Sequence, residues 1–250
     1  LKNPAKKGVR GFAPSGEFDP VLKNFGEEIW ISDGAPVVAA LGFHYPTRMA
    51  LIRLADGGLF VWSPTELTDD LRAAISELGP VRHIVAPNSL HHLYVPEWQR
   101  AYPDAQTYAA PGLRGKRKDI NFDFELSDAP APAWAGEIDQ VVMAGNTITT
   151  ELVFFHIKSG TVLFTDLIQH FPPKWFSGWR ALVARLDLMV AAEPAVPRKF
   201  RLAFTNRKAA REGVARVLAW PARKVLMAHG APVEKDGRAF LARAFLWLTK

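Results

Sequence analysis

The sequence predicts an α/β fold, and three features carry the prediction. Short apolar runs of strand length alternate with segments of helical period, glycine-rich turns separate neighbouring strands, and polar loops bearing histidine or aspartate follow several strands directly. The 250 residues suffice for a full core, and 48% hydrophobic with 22% charged residues excludes a disordered or fibrous chain. Residues 1–24 are rich in Lys, Gly and Pro without periodicity and read as an extended arm; 25–250 read as one domain.

The first strands are expected at 28–32, 48–53 and 59–63, the last two joined by the Asp56-Gly57-Gly58 turn. In 69–78, Leu71, Ala74, Ile75 and Leu78 repeat at helical spacing behind a Thr68 or Asp69 cap, and Gly79-Pro80 stops the helix. The apolar run 83–86 then leads straight into Pro87-Asn88-Ser89-Leu90-His91-His92. A helix over 95–102 and a short strand over 107–109 precede a basic connector, 114–118, and a Pro/Ala loop, 129–134. Strands follow at 139–143, 150–156 and 161–165, the last two joined by Lys158-Ser159-Gly160, with Asp166 at the exit. The aromatic stretch 172–197, with Trp175, Phe176, Trp179, Leu182, Val183, Leu186 and Met189, predicts a helix packed on the body; a membrane-contacting face is the alternative. A helix over 207–219, a strand over 224–227 running into His229-Gly230, and an amphipathic helix over 236–248 complete the chain. The halves 25–135 and 136–250 are expected to form one sandwich.

Composition narrows the chemistry. Zero cysteines exclude thiolate nucleophiles and zinc–thiolate sites, so a metal would need His, Asp, Glu or water. With no apolar run of membrane-spanning length and no leader pattern at the start, a cytoplasmic location is expected. The net charge of +6 gathers in clusters such as Arg114, Lys116, Arg117, Lys118 and Arg198, Lys199, Arg201, which suit an anionic partner or simply a solvated face. No phosphate-binding glycine loop occurs, and Ser63 and Ser89 lack the setting of an elbow nucleophile.

What remains is a set of strand-end groups, His91, His92, Asp166 and His229. Metal sites need ligands from distant parts of the chain to converge at one sheet edge. Glu151, opening an apolar strand, is a further catalytic candidate if it is partnered; His170, four residues after Asp166, is another as proton donor or substrate contact. His156 has the opposite strand parity to Glu151 and reads as a core or supporting residue; His44 and His83 read as structural.

At these positions the chain resembles the metallo-β-lactamase superfamily. His83 to His92 resembles its strand and H-x-H-x-D-H loop, Phe164-Thr165-Asp166 its bridging-aspartate motif, and Val225 to Gly230 its last His-Gly motif; the order of elements matches over about 27–248. Within the superfamily the sequence looks most like the DUF4336 branch. The resemblance implies a four-layer αββα sandwich.

Aligned without gaps, the first two histidines of the loop motif fall on Pro87 and Ser89, its aspartate on His91, its last histidine on His92, and a further first-site histidine on Asn146. Pro87, Ser89 and Asn146 are poor ligands or none, so the resemblance implies that the first metal site is lost and the second, His91, His92, Asp166 and His229, remains. A one-residue gap would put Asn88 at a histidine position, leaving the division of labour between His91 and His92 open. In Trp62-Ser63-Pro64-Thr65 an acidic residue common in the superfamily is missing.

Such a site suits one divalent transition metal, zinc first, with iron or manganese as alternatives. The expected function is a metal-dependent hydrolase that activates water for attack on an ester, amide or phosphoester of a small molecule, an anionic one being compatible with the basic clusters. A binding protein on a degenerate fold is the alternative; a nucleic-acid-processing role, which the lost site disfavours, and an iron oxidoreductase also remain. Oligomeric state is not encoded legibly.

Overall fold

Alternation of side chains along the strands builds two sheets, their central strands buried on both faces. The computed structural model describes residues 21–250, so most of the expected arm lies outside the described residues. The first sheet has seven strands in sequence order: β1 (Lys23–Gly26), β2 (Ile29–Val38), β3 (His44–Arg53), β4 (Leu59–Trp62), β5 (Val81–Ala86), β6 (Gln106–Ala109) and β7 (Phe124–Glu125). β1 to β4 are antiparallel and β4 to β7 parallel. The last two positions assigned to the arm, Lys23 and Asn24, belong to β1. The second sheet runs β11-β10-β9-β8, from β8 (Ile138–Met143), β9 (Glu151–His156), β10 (Thr161–Phe164) and β11 (Lys224–Met227).

Strand parity divides the apolar residues into three layers of core. Ala50, Ile52, Phe60 and Trp62 meet Leu152, Phe154, Leu163 and Leu226 between the sheets. Met49, Leu51, Leu59 and Val61 face α1 (Asp69–Ser76) and α2 (Val95–Ala101), with the short α3 (Leu113–Lys116) beyond. Val153, Phe155, Val162 and Phe164 face the helices of the second half. The layering is therefore αββα, as the resemblance implied. Thr68 caps α1 by accepting from the Leu71 amide, and Gly57 turns the β3–β4 hairpin at φ 82°.

The stretch 172–197 departs from the expected packed helix. Only α4 (Gly178–Leu186) is helical, and Trp179, Leu182, Val183 and Leu186 are exposed while Phe176 and Met189 bury with Phe43 and Phe171. Pro172-Pro173, Ser177-Gly178 and the left-handed Lys174 and Leu188 interrupt the period, so the apolar residues split between a loop cluster and an open helix face. The remaining helices are α5 (Arg198–Ala203), unforeseen in the sequence, α6 (Arg207–Ala219), α7 (Gly237–Ala244) and α8 (Leu246–Thr249). Among the described residues no helix is long and apolar enough to cross a membrane.

His156 ends β9 facing the inter-sheet layer, buried, with Nδ1 2.8 Å from Ser159 Oγ, which itself donates to Thr161 Oγ1. Burial, with Lys158 adding to it, pushes this imidazole down to about 4 from 6.5. The unfolded state then binds a proton that the folded state refuses, so His156 leaves stability intact above about 6.5 and erodes it as the pH falls toward 4. His156→Asn should flatten the acid limb of stability, the wild type losing up to about 3 kcal/mol more than the variant between pH 7 and 4. Urea unfolding at stepped pH measures that difference, and parallel curves for the two proteins would refute the assignment.

Candidate metal centre

Three strand exits meet at one edge of the sandwich. The loop after β5 brings His91, the turn after β10 brings Asp166, and the loop after β11 brings His229. One donor atom from each lies within 4.8 Å of the others. His91 Nε2 is 3.2 Å from His229 Nε2 and 3.3 Å from Asp166 Oδ2, while His229 Nε2 is 3.4 Å from Asp166 Oδ1. Donors around a tetrahedral zinc stand about 3.3 Å apart, given bonds of about 2.0–2.1 Å, so the spacing fits a single metal ion.

The partners behind these groups set their protonation. His229 Nδ1 is 2.7 Å from the Pro46 carbonyl, which can only accept; Nδ1 therefore carries a hydrogen, and Nε2 is the nitrogen that faces the cluster. His91 Nδ1 lies 2.8 Å from Ser63 Oγ. Ser63 is held at φ 53°, a left-handed conformation that a serine rarely adopts, with its amide tied to the Val85 carbonyl. The hydroxyl thus stands where the sequence lacks the expected acid. Burial pushes the His91 imidazole down against the pull of Asp166. Burial alone would raise the Asp166 carboxyl, but His91 and the hydrogen bond from His229 hold it well below the usual carboxylate range. Neutral imidazoles and an ionised carboxylate are the forms that bind metal.

Asp166 is positioned by two residues whose parts were not legible in the sequence. Asn88, fully buried, donates from Nδ2 to Asp166 Oδ2 at 2.7 Å and to Thr165 Oγ1 at 2.8 Å. Its Oδ1 accepts from the Leu90 and His91 amides, at 2.8 and 2.9 Å. One amide side chain therefore fixes both a candidate ligand and the loop that carries another. Glu151 accepts from the amides of Thr165, Asp166 and Leu167 at 2.7, 2.8 and 3.1 Å. It is fully buried, and burial, followed by the charge of Asp166, pushes it up to about 7. The expected catalytic role does not fit this setting, because both oxygens are spent on backbone inside the fold; Glu151 holds the turn of Asp166.

Two other candidates are also placed elsewhere. His92 Nδ1 is 2.7 Å from Arg117 Nη1, whose guanidinium pairs with Asp119, so its ring turns from the cluster to a side wall. Adjacent loop residues rarely aim both side chains at one point, and the cation on the neighbouring loop supplies the competing partner. Burial and Arg117 push His92 down to about 4. The His170 side chain lies 3.1 Å from the Ala191 carbonyl, and only its backbone serves the site: its amide donates to the His229 carbonyl at 2.8 Å. Gly230 sits at φ 140° against this segment, where any Cβ would collide with the His170 carbonyl. Arg48, overlooked in the sequence, bonds the Met227 and Gly230 carbonyls from β3 and holds the same loop from the other side.

The positions that the resemblance aligned with a first site, Pro87, Ser89 and Asn146, brace loops. Asn146 donates to the Phe200 carbonyl and accepts from the Ile148 amide, both at 3.0 Å; Ser89 Oγ is 3.1 Å from Thr149 Oγ1; and the Pro87 carbonyl accepts from Leu152.

Residues 26–175 match the model of a family described as a domain of unknown function, DUF4336. In structure the chain is similar to a metallo-β-lactamase from Pontibacter korlensis, at 12% identity and TM-score 0.61, over 92% of this chain and 98% of that one. It is similar to a metallo-β-lactamase from Hirschia baltica at 14% and 0.59, over 91% and 96%. It is also similar to the metal-soaked Flv1 flavodiiron core from Synechocystis sp. PCC6803 at 12% and 0.62, over 91% of this chain and 60% of that one. At these identities the likeness establishes the fold. No curated protein matches the sequence significantly.

Because Asn88 orients Asp166 and anchors the His91 loop together, Asn88→Ala should weaken transition-metal binding by roughly 10- to 100-fold. Competition titration against a chromophoric chelator measures it, and unchanged affinity would show that the clamp is dispensable.

Proposed function

The chain belongs to the DUF4336 family on a metallo-β-lactamase fold, and from that premise we propose that it is a metal-dependent hydrolase with one metal ion. The observation that carries this reading is the convergence of His91, Asp166 and His229, with Ser63, Asn88 and the Pro46 carbonyl each holding one of the three groups in place. A divalent ion held there, zinc first and iron or manganese as alternatives, would supply Lewis acidity and a water acidified toward neutral pH.

The chain's own residues do the rest. Asp166 and the two imidazoles bind and orient; Asn88, Glu151 and Ser63 keep them from relaxing toward other partners. His92 lines the adjoining cleft. Because its Nδ1 accepts from Arg117, its hydrogen is on Nε2, and it remains neutral near pH 7. It therefore offers a hydrogen bond rather than a charge to a substrate carbonyl or phosphoryl oxygen. The substrate is a small molecule. Several of the basic residues are already engaged within the chain, Arg114 on the Phe122 carbonyl, Lys116 on the Ser89 carbonyl and Arg117 on Asp119, which weighs against a nucleic-acid role.

A binding protein without catalysis is the second reading, favoured by the conversion of Ser89 and Asn146 into braces. Elemental analysis of untagged protein, joined to assays on ester, amide and phosphodiester substrates, separates the two. The hydrolase reading expects about one metal per chain, with Asp166→Ala and His229→Ala losing the metal and more than about 100-fold of turnover. His92→Ala should retain the metal. Stoichiometric metal without any turnover would favour the binding protein, and no metal after reconstitution would sink the hydrolase.

A further inference from the structure

Beside the metal centre lies a cleft of about 480 Å³, a size ordinary for a small-molecule site. Its inner end holds His91, Asp166 and His229. Farther out, Val37 and Val38 come from the β2–β3 hairpin tip, Leu90 and Leu93 from the loop after β5, Ile148 from the β8–β9 loop, and Phe200 from α5. Val38 is 77% and Leu93 57% exposed, and Leu90 and Ile148 are also exposed, so these side chains are not part of the packed core.

We propose that the substrate is an amphiphile whose polar, hydrolysable head lies at the metal centre and whose unbranched apolar chain runs out between the hairpin tip and the Leu90–Leu93 loop. The proposal rests on the hydrolase reading and names its substrate class. Aliphatic side chains from separate loops that converge on one opening offer contact along a chain. Several polar side chains around them are already committed: Thr47 donates to the Ala35 carbonyl, Ser63 is taken by His91, and Lys199 is shared between Asp187 and Tyr45, while Thr65 Oγ1 has no partner among the described residues and His92 faces the head group. A sugar or a peptide would find few partners for its hydroxyls or amides there, and leaving those groups dry is unfavourable. Asp166 is the single acidic side chain among the described residues lining the cleft, so nothing else there repels the electron-rich oxygens of an ester or carboxylate head.

The test uses the purified protein with the metal it carries. Calorimetric titration with sodium butyrate, hexanoate, octanoate and decanoate reads binding of the chain, and p-nitrophenyl esters of the same acids read turnover. Affinity should rise roughly three- to fourfold per methylene while the chain remains inside the cleft. In Val38→Asp and in Leu93→Asp that increment should shrink toward onefold, circular dichroism confirming the fold. Affinity independent of chain length, or an increment untouched by both variants, overturns the proposal. Flat binding with esterase activity intact removes the amphiphile and leaves the hydrolase. Length-dependent binding that both variants abolish, without turnover of any ester, keeps the apolar cleft and removes the hydrolase.

Discussion

A carboxylate withdrawn from water is costly unless charge and hydrogen bonds replace its hydration, and Asp166 is almost wholly withdrawn. Asn88 and the two imidazoles answer its oxygens, while Glu151, deeper in the fold, holds the turn by three backbone amides. The two carboxylates sit close enough to influence each other. The outer one is held ionised by its histidine partners and the inner one is pushed upward, which divides their roles: Asp166 faces the centre and Glu151 supports the chain beneath it. Much of the site geometry follows from this arrangement.

The sandwich supplies the convergence. β5 lies in the first sheet, β10 and β11 in the second, and the inter-sheet core of Trp62, Val85, Phe154 and Leu226 fixes the edges from which their loops emerge. Arg48 ties β3 to the β11 exit, and the His170 amide ties the β10 exit to the same loop. The three candidate ligands are thus carried by rigid strands and short braced loops, as a site that holds a metal without rearrangement requires.

The positions that the resemblance assigned to two metal sites differ in kind. Asn146 and Ser89 satisfy loop backbone and hydroxyl groups, joining the β8–β9 loop to α5 and to the loop after β5. Of the four positions expected at the second site, His91, Asp166 and His229 converge while His92 turns to Arg117, and the cleft next to them has aliphatic side chains on its wall.

Sequence by itself determined the α/β class and put His91, His92, Asp166 and His229 at strand ends, because strand alternation and the position of a residue at a strand end are local properties; the four layers were implied by the resemblance. It also separated His156 from Glu151 by parity. Only the tertiary structure decided between His91 and His92, since the choice turns on Arg117, a residue 25 positions away that takes the His92 nitrogen. The same is true of Asn88, Arg48 and the backbone of His170, whose partners lie far along the chain. It is true as well of the exposed face of α4: helical spacing counts apolar residues, but whether anything covers them depends on where the neighbouring elements pass.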